Sequence, residues 1–207
     1  MEKYFTVALL AYLIGSVPNG LILGRYLWGV DLREFGSKNI GATNAYRVLG
    51  PKPALWVFLT DLLKGVAGVY LGQWLIGTPL AAITGGIAAI AGHNWSIFLK
   101  FKGGRGVATG LGVIAIIAPI VTAIVFSVWS IIVYFTRYVS LASIVAAALV
   151  PVIMWLMGER GEYFYFGLLA ALFVIVRHKP NIERLIKGQE LKIKAGGKPD
   201  ANQKEEK

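Results

Sequence analysis

Cysteine is absent from this sequence of 207 residues, which excludes a disulfide framework and thiol catalysis. Charge is scarce, at 15% of residues. The three aspartates, Asp31, Asp61 and Asp200, are scattered, so the Asp cluster of a Mg-dependent phosphotransferase is missing. No pair of catalytic carboxylates and no nucleophile elbow is visible. The two histidines, His93 and His178, have no neighbouring ligands to complete a metal site. No metal and no cofactor is expected.

What the chain has in abundance is apolar surface: 56% hydrophobic residues and a mean hydropathy of +0.63. Ordinary soluble domains run roughly 45–50% apolar and about 25% charged, so an all-α integral membrane protein is expected. The net charge of +10 lies between and after the apolar runs. That distribution fits the cytoplasmic side of a membrane rather than nucleic acid. The first run lacks the charge pattern and cleavage site of a signal peptide and is expected to stay as a span.

A span needs about 20 apolar residues. The runs are 4–23, bent near Gly15 and Pro18; 53–77; 80–101; 107–135, divided by Pro119; 139–157; and 163–176. They give seven transmembrane helices, with a five-span chain re-entrant at 107–135 as the alternative. Basic clusters at Arg25–Lys52, at Lys100–Arg105, at Arg137 and from Arg177 onward are each separated by two spans. Placing them all in the cytoplasm puts the N-terminus outside and the C-terminus inside. The expected organisation is one membrane domain, 1–190, and a charged, disordered tail, 191–207, with "NIERLIKG" as a short interfacial helix.

That topology brings three polar segments to one face: "GSKNIGATNAYR" (36–47), "GHNWSIFLKFKGGRGVATG" (92–110) and "RHKPNIERL" (177–185). In the first, Ser37, Asn39, Thr43 and Asn44 supply neutral donors, and Arg47 adds a planar fork for phosphate or carboxylate. In the second, Lys102, Gly103, Gly104 and Arg105 lead into a helix, which is a good anion site, although it lacks the spacing of a P-loop. In the third, Pro180 predicts a turn between Arg177 and Leu185. Asp61 and Lys64, three apart on a span, share a face and are expected to form a structural ion pair.

These three segments, in order, resemble the motifs of the bacterial membrane glycerol-3-phosphate acyltransferases of the PlsY family, and the resemblance runs to about Glu190. It implies acyl transfer from acyl phosphate to the sn-1 hydroxyl of glycerol 3-phosphate, giving lysophosphatidic acid and phosphate. It implies an enzyme of phospholipid synthesis in the bacterial cytoplasmic membrane, multi-pass, with its active site on the cytoplasmic side. Ser37, His178 and Asn181 are the catalytic residues it points to, and Arg47, Lys102, Arg105, Asn39, Thr43, Asn44, Gly103, Gly104 and Ser143 the substrate-binding ones. The family's loop more often reads Gly-Gly-Lys-Gly; Arg105 keeps the charge as a fork. Acyl phosphate is an activated anhydride, so direct transfer without a covalent intermediate is expected. The hydroxyl proton goes to the donor phosphate or to His178, the phosphate favoured because no nearby carboxylate orients the histidine. The chain is expected to act as a monomer on the bilayer. From the residues alone, a small anion transporter or channel is the rival.

Overall fold

The structure, a computed structural model, describes residues 1–194. Among them there are helices and loops but no strand. In chain order the helices are α1 (Glu2–Ser16), α2 (Asn19–Trp28), α3 (Ala42–Leu49), α4 (Pro51–Leu75), α5 (Pro79–Asn94), α6 (Val107–Ile117), α7 (Pro119–Thr136), α8 (Val139–Leu156), α9 (Glu162–Arg177) and α10 (Lys179–Ile186), with one 3-10 turn at Ile97–Leu99.

Proline and glycine set most boundaries. Pro18 lacks the N–H to continue α1, so the first run is two helices rather than one bent helix. The second extends to Trp28, beyond the expected end at Leu23, and stops at Gly29 with φ 66°. Pro51, Pro79 and Pro119 occupy first-turn positions, where a missing N–H costs nothing. The run 80–101 is shorter as a helix than its hydropathy suggests. It ends at Asn94 because the following residues fold back, with Gly103 N–H on Asn94 O at 3.1 Å and Gly104 N–H on His93 O at 2.9 Å. The expected turn after Arg177 is present at His178, which separates α9 from α10.

Among the described residues, four segments are long and apolar enough to cross a membrane: Glu2–Trp28, Pro51–Leu75, Pro119–Thr136 and Val139–Leu156. Val107–Ile117 is apolar but shorter. Helices α1, α4, α5 and α6 pack together, and α8 lies between α7 and α9. Close approach among the first group depends on small residues, as in membrane bundles generally: Gly68 and Gly85 meet backbone to backbone between α4 and α5, and Gly65 meets Thr109 O between α4 and α6. Val69, Ile83, Ile90, Val113, Val121, Val150, Met154 and Phe166 fill the main core. A second cluster, Leu32, Ala45, Ala54 and Val57, clamps α3 and the preceding loop onto α4.

Candidate active site

A polar cavity of about 470 Å³ opens where the three motif segments meet. Ser37, Asn39, Thr43 and Arg47 reach it from the first segment, Arg105 from the second, Ser140 and Ser143 from α8, and His178 from the end of α9. Two helix N-termini open on it. Gly41 caps α3 and Gly106 caps α6, neither with a side-chain cap hydrogen bond, and both line the cavity with the residues that follow. Gly106 takes φ 77°, a conformation that favours glycine. Uncapped helix starts present backbone N–H groups and the positive end of the dipole.

The cations are partly buried. Arg47 donates Nη2 to Leu191 O at 2.8 Å, while its Nε is buried without a partner. Burial lowers its pKa from the usual arginine range, Glu190 opposes that shift and Arg184 adds to it. Arg105 is pushed down to about 10, first by burial, then by Arg184, Arg47 and Arg177, against the pull of Glu190. Cations that lower one another's pKa form a field that an anion would relieve.

His178 is 1% exposed. Its Nδ1 lies 2.7 Å from Val174 O, so the tautomer protonated at Nδ1 donates there and leaves Nε2 as acceptor. Burial pushes its pKa down to about 4, assisted by Arg105 and Arg177 and opposed by the Val174 bond and Glu190, so the ring is neutral at physiological pH.

Beside it lies a carboxylate that the sequence reading did not single out. Glu190 accepts from Ser140 Oγ at 2.8 Å, Asn181 Nδ2 at 2.6 Å and Arg184 Nε at 2.7 Å. Burial raises its pKa, but these donors together lower it below the usual range. Asn181 Oδ1 remains buried without a partner. Residues 191–194, expected to open a disordered tail, lie against the bundle: Ile193 N–H bonds Arg137 O at 3.0 Å and Lys192 stands 5.0 Å over the Tyr138 ring. The tail beyond Lys194 lies outside the described residues.

Several expected ligand residues have other occupations. Asn44 is 1% exposed. Its Nδ2 points at Leu32 O, Phe35 O and Asn39 O at 2.9–3.0 Å, and its Oδ1 accepts from Ser37 N–H at 2.8 Å. It staples the loop from inside. The amides of Gly103 and Gly104 are bonded to the end of α5, and their carbonyls accept from Arg177 at 2.9 and 3.0 Å. The glycine loop thus holds Arg105 in place instead of wrapping an anion with these amides. Lys102 is exposed and does not line the cavity.

Asp61 and Lys64 pair at 2.8 Å, both buried. Asp61 Oδ1 also lies 3.7 Å from His93 Nδ1, and Thr109 Oγ1 donates to Asp61 O at 3.0 Å, tying α6 to α4. Asp61 and His93 both line the cavity. A charge inside a membrane costs about 2.5–3.5 kcal/mol on insertion scales, which the pairing offsets. The described residues contain no His/Cys/Asp/Glu group fit for a metal ion.

An apolar cavity of about 110 Å³ adjoins the polar one; Phe58, Val107, Phe126, Trp129 and Ser143 line both. At the junction Trp129 Nε1 donates to Ser143 Oγ at 3.2 Å, and Ser143 donates to Val139 O at 2.8 Å. Arginines and two uncapped helix starts around one cavity, with an apolar chamber adjoining it inside a helical membrane bundle, are features that suit a phosphate-bearing, lipid-linked molecule.

The comparisons with known proteins narrow that class. Residues 5–188 match the family described as glycerol-3-phosphate acyltransferase. Glycerol-3-phosphate acyltransferase 2 of Moorella thermoacetica is 49% identical over 183 residues, covering 88% of this chain and 94% of that protein. The glycerol-3-phosphate acyltransferase of Fusobacterium nucleatum is 44% identical over 193 residues, covering 92% and 98%. Crystal structures of PlsY (YgiH), an integral membrane glycerol 3-phosphate acyltransferase, match in its glycerol 3-phosphate form with TM-score 0.87 and 37% identity, covering 92% of this chain and 96% of that one. The lysophosphatidic acid form of PlsY matches with TM-score 0.85 and 36% identity, covering 92% and 95%. The chain belongs to the glycerol-3-phosphate acyltransferase family and is a multi-pass membrane protein; the transporter reading is not favoured.

Proposed function

We propose that the chain transfers an acyl group from acyl phosphate to the sn-1 hydroxyl of glycerol 3-phosphate, releasing lysophosphatidic acid and inorganic phosphate. The observation that carries this reading is the continuity of the two cavities. Arg47, Arg105 and the uncapped starts of α3 and α6 suit phosphate, and the apolar chamber beyond Ser143 and Trp129 suits an acyl chain.

In the proposed reaction the sn-1 oxygen attacks the acyl carbonyl carbon, a C–O ester bond forms, and the bond from that carbon to the phosphate oxygen breaks. The proton passes to the departing phosphate. His178, neutral and held by Val174 O, has a backbone carbonyl rather than a carboxylate at Nδ1, which favours the phosphate as base. His178 lines the cavity, so its Nε2 orients a substrate hydroxyl as an acceptor, while Asn181, which does not line it, holds Glu190 through Nδ2 at 2.6 Å. The Ser37 hydroxyl stabilises the developing oxyanion. Holding both substrates in register supplies roughly 7–11 kcal/mol of barrier lowering, so no covalent intermediate is needed. Arg105 neutralises the leaving phosphate, and Lys102, outside the cavity, assists the approach of anions.

The same reading includes seven spans, the N-terminus outside, and the cavity facing the cytoplasm of a bacterial inner membrane. It takes 1–190 as one domain that works as a monomer. The parity of the basic clusters supports the sidedness. Purified protein given radiolabelled glycerol 3-phosphate should form lysophosphatidic acid with acyl phosphate and not with acyl-CoA or acyl carrier protein. Product from either thioester at the same rate would contradict the assignment of the donor.

A further inference from the structure

Most glycines inside these helices are accounted for by packing. A Cβ on Gly65 would overlap Thr109 O, one on Gly92 Tyr12 O, and one on Gly112 Leu62 O. Gly110 is different. A Cβ built on it would meet only Ile90 Cδ1, at 3.9 Å, an ordinary contact. Helix packing therefore does not demand glycine there, and glycine weakens a helix interior relative to alanine. Gly110 does line the apolar cavity, about one turn along α6 from Val107, which lines both cavities.

We propose that Gly110 is a specificity-determining residue: its missing side chain keeps open the passage through which a long acyl chain leaves the polar cavity. The inference rests on the acyl-phosphate reading above and adds to it the residue that sets acyl length. The acyl carbonyl reacts beside Arg105, and the chain must then run along α6 and α8. At 1.5 Å per residue, Gly110 lies about 4.5 Å beyond Val107 along α6, and Val150 about 10 Å beyond Ser143 along α8. Added bulk at Gly110 obstructs the chain close to its carbonyl end, whereas bulk at Val150 obstructs it further in.

The test is the rate of transfer to glycerol 3-phosphate from acetyl, butyryl, octanoyl and palmitoyl phosphate, in wild type, Gly110→Ala, Gly110→Leu and Val150→Phe. In Gly110→Leu, kcat/KM for palmitoyl relative to acetyl phosphate is expected to fall by about tenfold or more, while acetyl transfer persists. Gly110→Ala is expected to show the same bias, smaller. Val150→Phe is expected to keep octanoyl transfer and lose palmitoyl transfer. An unchanged length profile in an active Gly110→Leu enzyme overturns the proposal. If Gly110→Leu is inactive with every donor, Gly110→Ala decides: a bias against palmitoyl supports the proposal, and a wild-type profile overturns it. A wild type that transfers none of the four donors overturns the underlying function, and this inference falls with it.

Discussion

At the scale of the residue, Arg47 carries the sharpest consequence. Its guanidinium holds Leu191 O through one arm, and the residue lines the cavity. A hydrogen bond to a charged group is worth about 1.5–3 kcal/mol. Arg47→Ala is therefore expected to raise KM for the phosphate substrates about 10- to 100-fold, with Arg47→Lys between the two. An unchanged KM for both substrates would remove Arg47 from the phosphate seat.

Two of the groups with displaced pKa values give a pH prediction. Burial depresses His178 to about 4, so its neutral form is present above that value and lost only as pH falls through it. Burial also lowers Arg105 to about 10, so its charge is kept until pH rises that far. Between these limits neither group titrates. The acid limb of kcat/KM is then expected near the second ionisation of a phosphate ester, about 6, in both wild type and His178→Ala. A limb that shifts or vanishes in His178→Ala would make the histidine the base.

At the scale of the element, the glycine loop shows how far sequence reading reaches. "KGGRG" was legible as a turn entering a helix beside cations, and Arg105 does line the cavity. The use made of the glycines was not legible, because it depends on His93, whose ring fills the space where a Gly104 side chain would stand. Gly104→Ala is accordingly expected to destabilise the folded protein by about 1–3 kcal/mol, seen as a lower Tm in detergent. It should also raise KM for glycerol 3-phosphate through displacement of Arg105. His93→Ala in the same chain is expected to recover part of the Tm. If the double variant is no more stable than Gly104→Ala, the clash is not the cause.

Asn44 and Glu190 carry the same lesson from opposite directions. Asn44 reads as a ligand donor because Asn in a polar loop offers an amide, but its neighbours across the loop, Leu32 O and Phe35 O, are invisible to spacing. Glu190 reads only as the end of the membrane domain, in charged sequence after Gly188. Only the fold brings it to Ser140, 50 residues away. Pro119 and Pro180 mark helix breaks by a local, steric rule, legible to within a residue or two, whereas Pro18, read as a bend, divides its run into two helices.

At the scale of the whole molecule, hydropathy locates the apolar runs, yet only four of the resulting segments are long and apolar enough to span by themselves. The shorter α6 gains its place by packing on α4, where Gly112 meets Leu62 O, and that contact is beyond any window average. Because the chain has no cysteine, single cysteines report sidedness cleanly. Lys52→Cys and Lys187→Cys are expected to react with an impermeant maleimide only after the membrane is opened, and Arg160→Cys in intact cells. Ile120→Cys, 62% exposed beside the turn at Pro119, separates the two topologies. Labelling in intact cells supports seven spans, and labelling only in opened membranes supports the re-entrant, five-span chain.

Direct acyl transfer is tested most directly by the stoichiometry of one reaction. Purified protein in lipid is mixed with acyl phosphate and labelled glycerol 3-phosphate, and inorganic phosphate and lysophosphatidic acid are followed together. Direct transfer at this cavity predicts one phosphate released for each lysophosphatidic acid formed, with no phosphate burst before the acceptor is added. A burst of phosphate without acceptor, or uptake of glycerol 3-phosphate into liposomes with no acylation, would contradict it.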